Sequence, residues 1–163
     1  MPSDSLTALA TLVGARLRAK GLMLTTAESC TGGWVAQAVT AIAGSSEWFE
    51  RGFVTYSNAA KQEMMGVGAR TLATHGAVSE ESAREMATGA LAHSRAQVAV
   101  AVTGIAGPGG GSVDKPVGTV CLAWALKGGM AFAETRQFNG ERESVRRQSA
   151  ITALQGILTL LEA

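Results

Sequence analysis

The chain has 163 residues, of which 47% are hydrophobic and 17% charged, and its formal net charge is +1. This length and composition are typical of one globular domain with its own core, so we expect a single domain over residues 1–163. The near-neutral charge and scattered arginines argue against nucleic acid or a membrane as partners. No apolar run reaches the ~20 residues of a membrane span and no signal pattern occurs, which indicates a cytoplasmic protein.

Cysteine and histidine provide no pattern for a disulfide framework or a metal site. Cys30 and Cys121 lie far apart, and the two histidines, His75 and His93, have no metal-ligand spacing. Glycine is frequent, with 20 residues clustered in turns. Such turns indicate backbone that approaches a ligand closely.

Helices and strands alternate in the first third of the chain. N-cap residues at Ser3–Ser5 and an apolar face predict a helix that Gly21 ends. A strand over residues 22–27 leads into a hydroxyl-rich turn, and a helix is predicted from Trp34 to Gly44. A second strand is predicted over residues 48–56.

The next helices are predicted from their capping residues. Asn58 is a good N-cap, a short helical piece is predicted over residues 70–75, and Ser79 is the predicted N-cap of a longer helix. This longer helix carries two glutamates in its first turn, where the helix dipole favours them.

Three strands and a final helix are predicted in the last third of the chain. The continuous apolar run at residues 98–102 is typical of a central strand, and residues 117–126 and 130–138 are predicted as a hairpin. A final helix is predicted from about Glu141. The order of elements predicts an α/β fold, a three-layer α/β/α sandwich with a mixed, mostly parallel sheet.

Three polar segments follow predicted strands: the turn at Ser29, the segment Tyr56–Lys61 and the loop Thr103–Ser112. Ligands of such sheets bind beyond the carboxyl ends of the parallel strands. We therefore expect the three segments to share one rim.

The turn offers three nucleophiles, Ser29, Cys30 and Thr31, at a predicted helix N-terminus. A thiolate at that position would be activated, whereas a small buried cysteine is the commoner outcome. Glu28 is either a salt-bridge partner or a ligand contact, and the sequence alone leaves both readings open.

Lys61 is the preferred base for a serine nucleophile. It falls in the first turn of its predicted helix, where the helix dipole disfavours the ammonium and lowers the pKa. Tyr56 could relay a proton or orient the Ser29–Lys61 pair. A solvated surface lysine and a rim aromatic are the alternatives, while His75 and His93 lie at helix ends, where capping or solvated roles are commoner.

The glycine-rich loop lets backbone approach an anion, although it matches neither the G-x-x-x-x-G-K-[ST] phosphate loop nor the G-x-G-x-x-G fingerprint. A flexible connection is therefore the alternative. Lys115, Arg142, Arg146 and Arg147 are candidate contacts of an anionic substrate.

An ordered series of motifs resembles the CinA C-terminal domain family over nearly the whole chain. The matching segments are Thr26–Gly33, Gly44–Ser46, Gly52–Asn58 with Lys61, His75–Ser79, Thr103–Pro108 and Lys115–Val120. The chain looks like the stand-alone form of this domain.

The resemblance implies an amidohydrolase that converts nicotinamide mononucleotide to nicotinic acid mononucleotide and ammonia, in pyridine-nucleotide recycling. It implies Ser29 as nucleophile, Lys61 as base and Tyr56 as supporting hydroxyl, without a metal or organic cofactor, and a homo-oligomer. The expected substrate contacts are Glu28, Cys30, Thr31, Gly32, Gly33, Asn58, Thr103, Gly104, Ala106, Gly107, Gly110 and Arg142.

Two hypotheses in which the protein is not an enzyme stay open. One is a domain that binds a nucleotide without hydrolysing it. The other is a competence-related interaction domain. The sequence has no basic stripe, which argues against direct contact with DNA.

Overall fold

The computed structural model describes residues 2–162. The helices are α1 (Pro2–Lys20), α2 (Trp34–Thr40), α3 (Asn58–Met65), α4 (Ala69–His75), α5 (Glu80–Ala92) and α6 (Arg142–Glu162), with a 3₁₀ turn at Ser45–Glu47. The strands are β1 (Leu24–Glu28), β2 (Phe49–Val54), β3 (Val98–Gly104), β4 (Thr119–Leu126) and β5 (Ala131–Gln137). Within residues 2–162, none of the helices is long and apolar enough to cross a bilayer.

The five strands form one mixed sheet in the order β2-β1-β3-β4-β5. β1 pairs in parallel with β2 and with β3, whereas β4 pairs antiparallel with both of its neighbours. Four of these five strands therefore point the same way, which confirms the predicted mixed α/β sheet.

The two faces of the sheet carry side chains of different size. On β3, Val98, Val100 and Val102 face the cluster formed with α1, α2 and α6, while Ala99 and Ala101 face α5. Valines fill the wider space under three helices, and alanines let one helix approach closely. Helices thus cover both faces of the sheet, as predicted for a three-layer sandwich.

α5 also packs closely against α3, the helix that carries Lys61. A Cβ atom at Gly89 on α5 would lie 2.0 Å from the carbonyl oxygen of Met65, the last residue of α3. Only glycine allows this approach, which sets the position of α3 relative to the sheet.

The prediction that Asn58 caps α3 is wrong. Ser57 is the N-cap, because its hydroxyl accepts a hydrogen bond from the N–H of Ala60 at 3.0 Å. Asn58 is the first helical residue, and Lys61 is therefore the fourth. The predicted cap at Ser79 is confirmed, since its hydroxyl accepts from the N–H of Ser82.

Candidate active site

The carboxyl ends of three parallel strands meet at one edge of the sheet. Glu28, the last residue of β1, is paired with Val54 on β2 and with Val102 on β3. The segments that follow these strand ends therefore start side by side, which explains why residues distant in sequence form one site.

A cavity of about 280 Å³ lies at this edge. Eleven of the predicted site residues line it: Ser29, Cys30, Tyr56, Asn58, Lys61, Thr103, Gly104, Ala106, Gly107, Gly110 and Arg142. The lining residues that the sequence analysis did not single out as site residues are Ala77, Val78, Ile105 and Gly109.

Ser29 and Lys61 are in direct contact at the floor of the cavity. Lys61 Nζ lies 3.1 Å from Ser29 Oγ, 3.0 Å from the carbonyl oxygen of Thr55 and 3.3 Å from that of Tyr56. Lys61 is only 2% exposed and Ser29 7%. A neutral amine has two N–H donors and one lone pair. If the two carbonyls accept the two N–H groups, the lone pair faces the serine hydroxyl.

Burial lowers the pKa of Lys61, because the ammonium loses its hydration in this pocket. Among residues 2–162, no carboxylate forms an ion pair with it. A lowered pKa was predicted from the position of Lys61 at a helix N-terminus, whereas in the structure burial is what lowers it. The environment thus favours the neutral amine that a general base requires.

Cys30 also lines the cavity, but burial raises the pKa of its thiol to about 12. At neutral pH the thiol therefore stays protonated, and only the thiolate is a strong nucleophile. The choice between Ser29 and Cys30, which the residues alone left open, now favours Ser29.

Tyr56 contacts the Ser29–Lys61 pair with its main chain, while its side chain points to the rim. Its carbonyl oxygen lies 3.4 Å from Ser29 Oγ, and its hydroxyl accepts a hydrogen bond from Arg142 Nη2 at 3.1 Å. Arg142 Nη1 also donates to the carbonyl oxygen of Gly107 at 2.7 Å. Arg142 thus links the start of α6 both to Tyr56 and to the glycine-rich loop at the cavity mouth.

Glu28 lies beneath the cavity lining. Its buried carboxylate accepts hydrogen bonds from the Thr31 hydroxyl at 2.6 Å and from the N–H groups of Val35 and Ala36 at 2.9 and 3.0 Å. An acid is stabilised there by the N-terminal amides of α2. Glu28 therefore fixes the turn after Ser29 in the manner of a cap.

Thr31, Gly32 and Gly33 likewise do not line this cavity. They border a neighbouring depression together with Arg146. Gly32 and Gly33 have φ angles of 58° and 104°, in the left-handed region that favours glycine. Their shared feature is the tight turn that leads from Ser29 into α2.

Of the four cationic residues singled out as anion contacts, Arg142 alone lines the cavity within the described part of the chain. Lys115 Nζ donates to the carbonyl oxygen of His75, and Arg146 bonds the carbonyl oxygens of Cys30 and Thr31. His75 does not line the cavity, nor does His93, whose Nδ1 lies 2.8 Å from the carbonyl oxygen of Gly89. Residues 2–162 contain no cluster of potential metal ligands.

The sequence is similar over nearly its whole length to proteins of one known family. The family model of the CinA C-terminal domain matches residues 6–161. The chain belongs to the CinA C-terminal domain family. It is 57% identical to nicotinamide-nucleotide amidohydrolase PncC of Escherichia coli K12 over 155 residues, which cover 95% of this chain and 94% of that protein. It is 55% identical to the protein of the same name from Pseudomonas putida, over 96% and 98% of the two chains.

Crystal structures of the CinA family show the same fold. The competence/damage inducible protein CihA from Agrobacterium tumefaciens superposes with a TM-score of 0.93 at 50% identity, covering 98% of this chain and 96% of that one. A CinA superfamily protein from Escherichia coli superposes with a TM-score of 0.91 at 40% identity, over 95% and 90% of the two chains.

The family motif around residues 75–79 contained the signal for two of the four lining residues that were missed, Ala77 and Val78. The Thr103 hydroxyl donates to the carbonyl oxygen of Ala77 at 3.0 Å and so holds this segment against the end of β3. Ala77 and Val78 lie between α4 and α5 and follow no strand, so a prediction based on strand ends does not include them.

Proposed function

We propose that this chain is an amidohydrolase that deamidates nicotinamide mononucleotide to nicotinic acid mononucleotide and ammonia. The observation that carries the proposal is the contact of Ser29 Oγ with Lys61 Nζ at 3.1 Å in a cavity where burial lowers the pKa of the lysine. The 55–57% identity to proteins named nicotinamide-nucleotide amidohydrolase supports the choice of substrate.

The first half of the reaction forms an ester. Lys61 Nζ takes the proton of Ser29 Oγ, and Oγ bonds to the carboxamide carbon while the carbonyl oxygen takes up the electron pair. When this oxyanion collapses, the carbon–nitrogen bond breaks. The proton on Lys61 passes to the leaving nitrogen, and ammonia departs.

The second half hydrolyses the ester with the same two residues. Lys61 takes a proton from water, whose oxygen bonds to the ester carbon. The bond from this carbon to Ser29 Oγ then breaks, and Oγ recovers the proton from Lys61. The carboxylic acid product and the free enzyme result, and one water has been consumed.

Backbone N–H groups stabilise the oxyanion in this scheme. Thr31, Gly32 and Gly33 do not line the cavity, and the N–H of Ser29 is already bonded to the carbonyl oxygen of Val102. We therefore assign this task to the N–H of Cys30 and to the glycine-rich loop. One such donor is typically worth ~10²–10³ in rate.

The cavity offers separate groups for the two ends of the substrate. The guanidinium of Arg142 and the loop at Gly107–Gly110 suit a phosphate, since arginine and free N–H groups bind its oxygens. The Thr103 hydroxyl donates to Ala77, and its lone pairs can accept a carboxamide N–H. Asn58 also lines the cavity and supplies a further amide.

A role in pyridine-nucleotide recycling, a cytoplasmic location and a homo-oligomeric state complete the proposal. The first follows from the product, a pyridine mononucleotide acid, and the oligomer from the family resemblance. Light scattering of the purified protein measures the oligomeric state directly.

Mass spectrometry of nicotinamide mononucleotide incubated with the purified protein tests the function. We expect conversion to the acid mononucleotide with one ammonia per substrate, and no conversion by Ser29→Ala. Recovery of unchanged nucleotide at high protein concentration would refute the hydrolase proposal. Binding of the nucleotide without turnover would instead favour a nucleotide-binding domain.

A further inference from the structure

Arg146 on α6 contacts the turn that carries Ser29 from outside the catalytic cavity. Its Nε donates to the carbonyl oxygen of Cys30 at 3.0 Å and its Nη2 to that of Thr31 at 3.1 Å. Its Cζ lies 5.5 Å from the centroid of the Trp34 ring, within range of a cation–π contact. In the described residues, no carboxylate forms an ion pair with Arg146. Its charge is therefore directed at the turn.

A chain of hydrogen bonds leads from Arg146 to the main chain of Ser29. The carbonyl of Thr31 and the N–H of Gly32 belong to one planar peptide group. Arg146 bonds the carbonyl, and the N–H donates to the carbonyl oxygen of Ser29 at 3.0 Å. A cation on the carbonyl polarises the peptide and strengthens this N–H as a donor.

The other side of Ser29 is held by the sheet. Its own N–H donates to the carbonyl oxygen of Val102 on β3 at 2.9 Å. The main chain of Ser29 is therefore fixed on both sides, by a strand before it and by the braced turn after it. The position of Oγ next to Lys61 depends on both.

The turn has a particular need for this brace because it contains Gly32 and Gly33. Glycine has more backbone freedom than any other residue. Glu28 holds the turn from within through the Thr31 hydroxyl, and Arg146 holds the carbonyls from the opposite side. The turn would still close without Arg146, since the carbonyl of Thr31 also accepts from the N–H of Trp34 at 3.0 Å.

We propose that Arg146 is a positioning residue that fixes Ser29 in line with Lys61 through the Thr31–Gly32 peptide. The inference rests on the proposed function, in which Ser29 is the nucleophile. Because Arg146 does not line the cavity, its loss changes kcat and leaves KM unchanged. A displacement of ~1 Å at a reacting group can reduce the rate by ~10²-fold.

Two substitutions at this position and a matched control test the split between kcat and KM. We expect Arg146→Met to fold, with kcat lower by ~10–100-fold and KM within ~2-fold of the wild type. Arg146→Lys should regain part of kcat, because an ammonium replaces the charge but not the fork that bonds both carbonyls. Arg84→Met is the control, since the only ion pair of Arg84 within residues 2–162 is with Glu80 on the surface of α5. An unchanged kcat in Arg146→Met, or a loss confined to KM, overturns the proposal.

Chemical rescue separates the charge from the mere presence of a side chain. The depression beside Arg146 holds about 450 Å³ and is bordered by Thr31, Gly32, Gly33, Trp34 and Gln37. In Arg146→Ala, added guanidinium should enter it and raise kcat, whereas urea, which has the same shape without the charge, should not. Equal effects of guanidinium and urea below the concentrations that unfold the variant would refute the role of the charge.

Covalent labelling of Ser29 by a fluorophosphonate provides a readout that does not depend on nicotinamide mononucleotide. Intact mass spectrometry should show slower labelling of Arg146→Met than of wild type, by a factor similar to the loss of kcat. If the wild type is labelled in this Arg146-dependent way but does not deamidate the nucleotide, the proposed function fails and the positioning role stands. If the nucleotide is deamidated but Arg146→Met has the same labelling rate and the same kcat as the wild type, the proposed function stands and the positioning role fails.

Discussion

Gly89 connects the packing of two helices to the geometry of the active site. In Gly89→Ala, the new Cβ would meet the carbonyl oxygen of Met65 at 2.0 Å, whereas real Cβ atoms essentially never come closer than 3.0 Å to such an atom. The two helices must therefore separate by about 1 Å. Met65 lies one turn after Lys61 on α3, so the shift is passed to the lysine.

The magnitude follows from two opposing effects. Alanine is favoured over glycine inside a helix by ~1 kcal/mol, whereas overpacking of a tight contact costs ~1–3 kcal/mol. The atoms met at Gly89 are backbone and cannot rotate away, so the upper part of that range applies. We expect a net loss of ~1–2 kcal/mol in the free energy of unfolding. We also expect a fall in kcat of up to ~10²-fold, because the 3.1 Å contact of Lys61 with Ser29 lengthens.

The assay combines urea unfolding with steady-state deamidation kinetics. Gly129→Ala is the matched control, because its Cβ would lie 3.4 Å from the nearest atom, the carbonyl oxygen of Leu126, which is ordinary contact. It should leave stability and kcat close to those of the wild type. Wild-type stability and kcat in Gly89→Ala would refute the idea that this helix contact sets the position of Lys61.

Four further outcomes are expected from the site. Ser29→Ala and Lys61→Met should each lower kcat by ~10²–10⁴-fold or more. In the same assay, kcat of the double variant should be little lower than that of either single variant. Because burial lowers the folded pKa of Lys61 below its usual 10.5, its ammonium destabilises the fold fully at pH below the folded pKa and less as pH rises toward 10.5. Lys61→Met should therefore be more stable than the wild type in acid, with a gain that fades at alkaline pH in urea titrations. Cys30→Ala should retain most of kcat, since its thiol stays protonated; a loss as large as that of Ser29→Ala would reverse the choice of nucleophile. Arg142→Gln should raise KM more than it lowers kcat, and an unchanged KM would argue against phosphate binding there.

The sequence was sufficient to predict the rim, because each predicted site segment follows a predicted strand. Ser29, Lys61 and Thr103 come together because β1 lies between β2 and β3, and strand ends are readable from local patterns. The cap of α3 was misplaced by one residue because Ser57 and Asn58 are both good N-caps. Only the observed hydrogen bond separates them.

Contacts between distant residues could not be predicted. The role of Glu28 beneath the turn depends on where the start of α2 lies in space, and the lowered pKa of Lys61 depends on how deeply α3 is buried. The brace from Arg146 joins residues more than a hundred positions apart. Such relations leave no local pattern in the chain.

The strand order has a consequence for how this protein is made on the ribosome. β1 carries Ser29 at its end and is synthesised early, yet it pairs with β3, whose residues begin at Val98. A nascent chain that stops before β3 leaves one edge of β1 open. A chain that stops before α6 leaves the valine face of the sheet partly uncovered. Such intermediates expose apolar surface and an unpaired strand edge, which makes them prone to aggregation. The N–H of Ser29 bonds to Val102 on β3, so the serine reaches its final position only after β3 has been made.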